Sequence, residues 1–252
     1  MKFYSLILIP VLALIMSSPS SGQNTDTIRL AVQDYNPTDS KNDTTWAKME
    51  VKSDNLTDYS LVEDQNGKNV IKASSANAAG GLIYKIRIDP HEYPIIEWRW
   101  KVDGVLKKGN LQKKDSDDYP ARIYVTFDYD KSNLGFGDRI KYSALKAFTS
   151  YNIPLRSINY IWANKAKRGT IAPNPFTDWV YMVAVQSGNE QSGSWMVETQ
   201  NILQDYKAAF GEAPPAITGV AIMTDSDNTA GNATAYYGDI IFKKSDSATQ
   251  SK

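Results

Sequence analysis

The sequence contains no cysteine, and this absence excludes one structural device and several chemistries. A chain without cysteine forms no disulfide bonds, so its folded domain must rest on an apolar core. It also has no thiol nucleophile, no thiolate ligand for zinc or haem, and no cysteine for lipid attachment. Cysteine hydrolases, thiolate metal proteins and lipoproteins are therefore excluded.

Histidine is almost absent, because His91 is the only one in the chain. It lies in a proline-flanked turn over residues 89–94, which is a poor support for a catalytic base. A zinc site built on several histidines is excluded. The sequence also has no Gly-x-Ser-x-Gly segment that would support a serine hydrolase triad through His91. No catalytic motif is recognisable.

The chain also lacks an excess of charge of either sign, since 28 Lys and Arg residues balance 28 Asp and Glu residues. Nucleic-acid-binding domains carry a basic patch or stripe that neutralises phosphates, and none is visible here. There is likewise no basic amphipathic helix for a membrane surface. We predict no nucleic-acid partner.

The N-terminus has the three-part order of a secretory signal peptide. Lys2 is followed by an apolar run over residues 3–16 and then by small residues up to Gly22. We place the cleavage near Gly22, and the apolar run is too short to span a bilayer comfortably. The sequence therefore predicts a periplasmic or secreted protein without a stable membrane anchor.

The rest of the chain shows no internal repeat and no Gly/Ser linker, which favours one domain. A polar lead with one strand at 28–32 is expected before it, and a short Ser/Lys segment ends the chain. The predicted organisation is signal peptide 1–22, polar lead 23–45, one sandwich domain 46–243 and disordered tail 244–252.

Short segments rich in β-branched and aromatic residues follow one another and are separated by turn sequences such as Asn66-Gly67 and Asp103-Gly104. This pattern predicts an all-β, two-sheet β-sandwich of the jelly-roll or galactose-binding-like type. Two short helices, 138–150 and 201–210, are expected in connections, the second ended by Gly211. The further strands are predicted at 46–51, 59–62, 69–73, 81–88, 95–102, 122–129, 157–163, 179–186, 195–199, 217–224 and 234–242.

Alternation along the strands assigns side chains to faces. Trp98 and Trp100 share an apolar face that predicts a place in the core. If the strands are neighbours, their other faces form one polar surface. That surface is either a solvated face with ion pairs or a shallow sugar-binding groove. Its members are Glu97, Arg99, Arg122, Tyr124, Asp128 and Glu198.

Two further features leave alternatives open. Trp162 precedes a loop over residues 163–178 and is either a sugar-stacking platform or a plug at the end of the sandwich. Asp118 and Arg122 either pair with each other or both face a ligand at the end of a strand. The only catalytic candidates are Asp118 and Glu198.

The strands at 217–224 and 234–242 are predicted to form a hairpin, because an Asp/Asn/Gly-rich loop joins them. Asp225, Asp227 and Asn228 in this loop supply hard oxygen ligands that suit Ca²⁺. A structural Ca²⁺ is the only cofactor that the sequence suggests. The full set of candidate ligand-binding residues is Arg99, Asp117, Asp118, Arg122, Tyr124, Trp162, Glu198, Asn201, Asp225, Asp227, Asn228 and Thr229.

Several segments together resemble a family of secreted bacterial proteins known only as a domain of unknown function. The similarity covers about residues 46–242, and it implies a single secreted domain, a jelly-roll sandwich like those of carbohydrate-binding modules. It implies no catalytic residue. The segments are Trp98-Arg99-Trp100-Lys101-Val102, Asp117-Asp118-Tyr119-Pro120-Ala121-Arg122, Glu198-Thr199-Gln200-Asn201, Asp205-Tyr206, Phe210-Gly211, Pro214-Pro215, Met223-Thr224-Asp225-Ser226-Asp227-Asn228-Thr229 and Tyr236-Tyr237-Gly238-Asp239-Ile240.

Three functions remain open on these grounds. The first is a non-catalytic secreted or periplasmic binding protein for a glycan or another small extracytoplasmic ligand. The second is a structural or assembly protein of the cell envelope with a protein partner. The third is a glycan hydrolase or lyase that uses carboxylates such as Asp118, Glu198 and Asp225.

Overall fold

A computed structural model describes residues 26–36, 45–49, 51, 53–130, 132, 134–148 and 155–245. The predicted signal peptide lies outside the described residues, as do parts of the predicted lead and most of the predicted tail. Within this part of the chain there are thirteen strands and two α-helices. The strands are β1 Thr27–Leu30, β2 Trp46–Lys48, β3 Asp58–Glu63, β4 Asn69–Ala76, β5 Gly81–Ile88, β6 Ile95–Val102, β7 Arg122–Phe127, β8 Ser157–Ala163, β9 Ile171–Asn174, β10 Thr177–Ser187, β11 Met196–Asn201, β12 Ile217–Met223 and β13 Asn232–Lys243. The helices are α1 Phe136–Phe148 and α2 Ile202–Phe210.

The strands form two sheets, and the all-β sandwich predicted from the sequence is confirmed. The six-stranded sheet has the order β11-β6-β13-β4-β3, with β1 also paired to β13. The seven-stranded sheet has the order β2-β5-β12-β7-β8-β10-β9. All described strand pairs are antiparallel except β8 and β10, which run parallel. None of the helices in the described residues has both the length and the apolar character needed to cross a membrane.

The inner faces of the two sheets meet in an aromatic core. Trp98 and Trp100 point inward from β6, as predicted, because apolar and polar residues alternate along that strand. They meet Tyr160 and Trp162 of β8 in the opposite sheet, with ring centroids 5.2 Å apart for Trp98 and Tyr160 and 5.8 Å apart for Trp100 and Trp162. Trp162 is fully buried, so it plugs the sandwich and is not a sugar-stacking platform.

The two helices lie in connections, as expected. α2 begins after Asn201, whose side-chain oxygen accepts a hydrogen bond from the backbone N–H of Gln204. It ends at Gly211, whose positive φ of 76° is the left-handed conformation that glycine adopts without strain. The structure also has the short strand β9, which the sequence analysis missed because Pro173 stands in its middle.

The strands before and after the acidic loop do not form the predicted hairpin. β12 lies in the seven-stranded sheet between β5 and β7, whereas β13 lies in the six-stranded sheet between β6 and β4. The loop over residues 224–231 therefore crosses from one sheet to the other. The prediction was wrong because alternation defines a strand but not its partner, and this loop is long enough to span the roughly 10 Å between packed sheets.

The sandwich also includes part of the stretch that was predicted to be a polar lead. β1 pairs with β13 from Thr27 opposite Lys243 to Leu30 opposite Ile240. Leu30, Val32 and Tyr35 are members of the main core cluster. The folded body thus begins before residue 46.

The single polar surface predicted for strands 95–102, 122–129 and 195–199 does not exist. β6 and β11 lie in one sheet and β7 in the other, so Glu97 and Arg99 are on the opposite side of the sandwich from Arg122 and Tyr124. Glu198 is paired with Trp98 and faces inward, while the exposed side chain of β11 is that of Val197. The face assignment of β11 was wrong because this strand lies at a sheet edge, where apolar residues need not face the core.

Candidate functional site

A polar strip crosses the outer face of the seven-stranded sheet. Along β7 the apolar residues enter the core, so the alternate residues point outward. On β8, Asn159 pairs with Tyr124 and Ser157 pairs with Thr126, which places them on the same face. We call this set of five residues the polar strip: Arg122, Tyr124, Thr126, Ser157 and Asn159.

Arg122 is the centre of a buried ion-pair network at one end of the strip. Its Nε donates to Oδ1 of Asp225 over 3.0 Å, and its Nη2 donates to Oδ2 of Asp225 and to the carbonyl oxygen of Asp117. Its Nη1 lies 3.5 Å from Oδ2 of Asp117 and donates to the hydroxyl of Tyr124 over 3.2 Å. The guanidinium carbon also lies 4.4 Å from the ring centroid of Tyr119. Arg122 thus joins the loop before β7 to the loop after β12.

Burial controls the protonation of the carboxylates around Arg122. It raises the pKa of Asp225 to about 8, although the Arg122 guanidinium opposes this rise. Burial also raises the pKa of Asp117, against the effects of Arg122 and of Asn174, whose Nδ2 donates to Oδ2 of Asp117 over 3.0 Å. The guanidinium is therefore the group that makes a buried carboxylate at this place tolerable.

Asp118 does not pair with Arg122. Its carboxylate accepts hydrogen bonds from the backbone N–H of Thr229 over 2.7 Å and from the backbone N–H of Asn228 over 3.3 Å. The Nδ2 of Asn228 also donates to it over 3.2 Å. Asp118 has no exposed surface, so its role in this structure is to hold the loop over residues 225–229 in place. Neither of the two sequence-based alternatives for Asp118 described this contact.

The acidic loop brings three carboxylates close together. Asp118, Asp225 and Asp227 each place one oxygen within 4.8 Å of the others, and carboxylate oxygens are the ligands that Ca²⁺ prefers. However, Arg122 already binds both oxygens of Asp225, and N–H groups of the loop bind both oxygens of Asp118. These carboxylates therefore already have a positive charge beside them, that of Arg122. The calcium site at Asp225, Asp227 and Asn228 stays a prediction.

The other end of the strip carries buried polar groups without partners. Ser157 and Asn159 have no exposed surface, and neither the hydroxyl of Ser157 nor the amide nitrogen and oxygen of Asn159 has a hydrogen-bond partner in the described structure. Tyr124 and Thr126, directly beside them on β7, are partly buried. A buried polar group without a partner destabilises a fold by about 1–3 kcal/mol, so such groups call for ordered water or a ligand.

Four of the predicted ligand residues lie elsewhere. Arg99 is on the outer face of the six-stranded sheet, where its Nη1 binds Oδ2 of Asp64 over 2.7 Å. Trp162 is in the core, and Asn201 is the N-cap of α2. Glu198 is buried and contacts Arg168 and Gln186, which line a groove apart from the polar strip. The predicted residues that the fold does bring together are Asp117, Asp118, Arg122, Tyr124, Asp225, Asp227, Asn228 and Thr229.

Five residues of this site were not predicted from the sequence: Ser157, Asn159, Thr126, Tyr119 and Asn174. For the first two a signal was available, because Ser157 and Asn159 alternate with Ile158 and Tyr160 in a strand that was predicted correctly. Polar residues on the second face of such a strand mark an outward face with its own chemistry. Nothing local marks Asn174, which reaches Asp117 only through the fold.

The fold and this site define a two-sheet β-sandwich with a polar, partly buried site on one outer face. The chain belongs to the family described as "Protein of unknown function (DUF3047)", which matches residues 44–241. This confirms the resemblance drawn from the sequence. Comparison with curated protein sequences finds no match.

Solved structures with a similar chain course include three proteins of low sequence identity. The glycoside hydrolase domain of Endo-D, Spr0440, from Streptococcus pneumoniae R6 has 13% identity and a TM-score of 0.37; the match covers 79% of this chain but only 22% of that one. The cellulose-induced protein Cip1 has 11% identity and a TM-score of 0.33, with 80% and 92% covered. Winged bean acidic lectin, complexed with methyl-α-D-galactose, has 8% identity and a TM-score of 0.35, with 87% and 100% covered.

Proposed function

We propose that this protein is a secreted or periplasmic, non-catalytic glycan-binding protein and that the polar strip is its binding site. The observation that carries the proposal is the amide of Asn159, which is fully buried and has neither its N–H groups nor its oxygen bonded within the described structure. Such a group is destabilising unless a ligand or water completes it. Binding sites commonly retain groups of this kind at the expense of stability.

The chemistry of the strip suits a sugar. Each sugar hydroxyl both donates and accepts a hydrogen bond, and the amide of Asn159 and the hydroxyl of Ser157 offer both functions. The partly buried ring of Tyr124 adds an aromatic side chain to the strip, and its hydroxyl accepts a hydrogen bond from Arg122. Beside Tyr124 and Thr126, β12 places Ala221 and Gly219 in register, so only small groups flank the ring on that side.

Substitution of Asn159 separates this proposal from a purely structural role. Asn159→Leu replaces the unbonded amide by an apolar group of similar size, so we expect the free energy of unfolding in urea to rise by about 1–3 kcal/mol. Glycan binding by the same variant, measured by glycan array and calorimetry with and without calcium, should be lost. Thr234→Val on β13, in the other sheet, is the control. A variant that binds glycans like the parent protein would refute the site, and a parent that binds no glycan under either condition would refute the function.

The predicted location has its own test. Residues 1–22 should be removed on export, so N-terminal sequencing of protein from the periplasm or medium of a Gram-negative host should begin at about Gln23. A chain that keeps Met1 and stays in the cytoplasm would contradict the proposed location.

A second candidate function is a partner role in the cell envelope. Phe136 and Ile140 are one turn apart on α1, and 83% and 56% of their surfaces are exposed. Apolar side chains four residues apart share one helix face, which is typical of a docking site. The double change Phe136→Ser with Ile140→Ser should abolish co-purification with an envelope partner and leave glycan binding intact.

The enzymatic alternative finds no support in the arrangement of the carboxylates. Glycan hydrolysis requires two carboxyl groups facing one substrate. Asp225 is engaged by Arg122, Asp118 by the loop over residues 225–229, and Glu198 by Arg168 and Gln186. We therefore assign no catalytic role to Asp118 or Glu198.

A further inference from the structure

A polar groove of about 630 Å³ lies apart from the polar strip, where the ends of β8 and β10 meet the beginning of β11. Amide side chains line much of it, and they are those of Asn164, Gln186, Asn189 and Gln191. Two cations, Lys165 and Arg168, and one acid, Glu190, complete its charged lining. Trp162 on β8 and Glu198 on β11 were predicted from the sequence to bind a ligand, whereas none of the residues that line this groove was.

A buried carboxylate lies beneath this groove. Glu198 is 1% exposed, and its Oε1 accepts a hydrogen bond from Nε2 of Gln186 over 2.8 Å. Its Oε2 accepts one from Nη2 of Arg168 over 3.2 Å. Burial raises the pKa of Glu198, and both partners oppose this rise. A buried acid thus orients two of the side chains that line the groove.

The guanidinium of Arg168 contacts Glu198 but remains largely exposed to solvent. Its side chain is 64% exposed although its partner Glu198 is buried. A guanidinium has five N–H groups in a planar fork, and the contact with Glu198 uses one of them. The remaining N–H groups suit bidentate binding of a carboxylate. Lys165, which is also exposed, forms no ion pair with any other described residue and adds a second positive charge.

We propose that this groove binds a uronic acid unit of an acidic glycan, with Arg168 and Lys165 on the sugar carboxylate. Gln186 and Asn189 bind its hydroxyls, and Glu198 acts only by orienting Arg168. The identification of the ligand as a glycan rests on the proposed function. The groove itself is a second site, on a different part of the sandwich surface from the polar strip.

Affinity electrophoresis and calorimetry with a polyuronate, polygalacturonic acid, test this proposal. The carboxyl-reduced form of the same polymer serves as the neutral probe. The parent protein should bind the polyuronate at least tenfold more tightly than the reduced polymer. Arg168→Ala should remove this preference, and Arg168→Lys should restore part of it because the charge returns without the planar fork. Arg87→Ala, which removes an exposed arginine that pairs with Asp128, is the matched control and should keep it.

The results separate the two sites. If Arg168→Ala binds polyuronate like the parent protein, or if both polymers bind equally, the groove proposal is wrong. The proposal for the polar strip is then still decided by glycan binding of Asn159→Leu. If Asn159→Leu leaves all glycan binding intact but Arg168→Ala abolishes it, the groove is the binding site and the polar strip is not. Failure of the parent protein to bind the polyuronate overturns the groove proposal.

Discussion

Arg122 shows how a single side chain can determine the arrangement of a site. It is 2% exposed and in contact with Asp117, Asp225, Tyr119 and Tyr124, which come from two different loops and from β7 itself. The desolvation of such an arginine is compensated only while its carboxylate partners are in place. The same contacts fix the position of Tyr124 at the open edge of the polar strip.

Loss of Arg122 should therefore destabilise the whole fold. Arg122→Met leaves Asp225 and Asp117 buried without a cation, and we expect the free energy of unfolding in urea to fall by about 3–5 kcal/mol. The double variant with Asp225→Leu should recover part of this loss. Arg87→Ala, which removes an exposed ion pair with Asp128, should change stability by less than about 1 kcal/mol. Equal effects of the two arginine substitutions would contradict the assigned role.

Glu198 should make stability depend on pH. Burial raises its pKa in the folded state above its ordinary value, so the folded protein holds this proton more tightly than the unfolded chain. Its contribution to stability is present below the ordinary glutamate value and is lost as pH rises through the raised pKa. Urea denaturation between pH 4 and pH 8 should show this decline, and Glu198→Gln should reduce it. Glu190→Gln, at the exposed rim of the groove, should leave the decline as it is.

At the scale of single elements, α2 illustrates a segment whose ends are defined by local chemistry. Asn201 stands at its N-cap, Gly211 at its C-terminal stop, and Tyr206 is buried between them. The same cap removes Asn201 from the list of ligand residues, because its side-chain oxygen is used by Gln204.

The cap gives a prediction that distinguishes structure from binding. Asn201→Ala should lower the free energy of unfolding by about 1 kcal/mol, because the N–H of Gln204 loses its acceptor. Asn201→Asp should restore most of the loss, since aspartate caps equally well. Neither variant should change glycan affinity in calorimetry. A clear loss of affinity in Asn201→Asp would return this residue to the binding site.

Elements of this kind were predictable from the sequence, whereas their partners were not. The bounds of β6 and α2 follow from alternation, capping and a glycine stop, which are local signals. The separation of β12 and β13 into different sheets depends on which strands pair with each of them, and the alternation of residues does not reveal strand pairing. For the same reason the contact of Arg122 with Asp225, 103 residues away in sequence, could only come from the structure.

At the scale of the whole molecule, the two ends of the described chain support one another. β1 pairs with the last strand, β13, and delivers Leu30, Val32 and Tyr35 to the core that Trp98 and Trp100 dominate. The chain has no disulfide to replace such contacts. The integrity of the sandwich thus depends on a segment that looks polar in the sequence.

Removal of β1 and the residues that follow it, up to residue 36, should lower the free energy of unfolding. A chain that begins at residue 37 loses β1 and three buried side chains, and we expect its stability to fall by on the order of 5 kcal/mol, at about 1.5–3 kcal/mol per buried apolar side chain. A chain that begins at residue 26 is the control and should unfold like the longer protein. Thermal and urea unfolding followed by tryptophan fluorescence measure the difference. Equal midpoints for the two chains would show that β1 contributes little.

The position of β13 has a consequence for the order in which the protein can assemble. This strand is the last in the described chain, yet it lies between β6 and β4 and also carries β1. Until β13 has been synthesised, β6 with β11 and β4 with β3 are separate strand pairs, and pairing of such distant segments is slow. The nascent sandwich therefore stays open along this sheet while β6 and β4 wait for the strand that joins them.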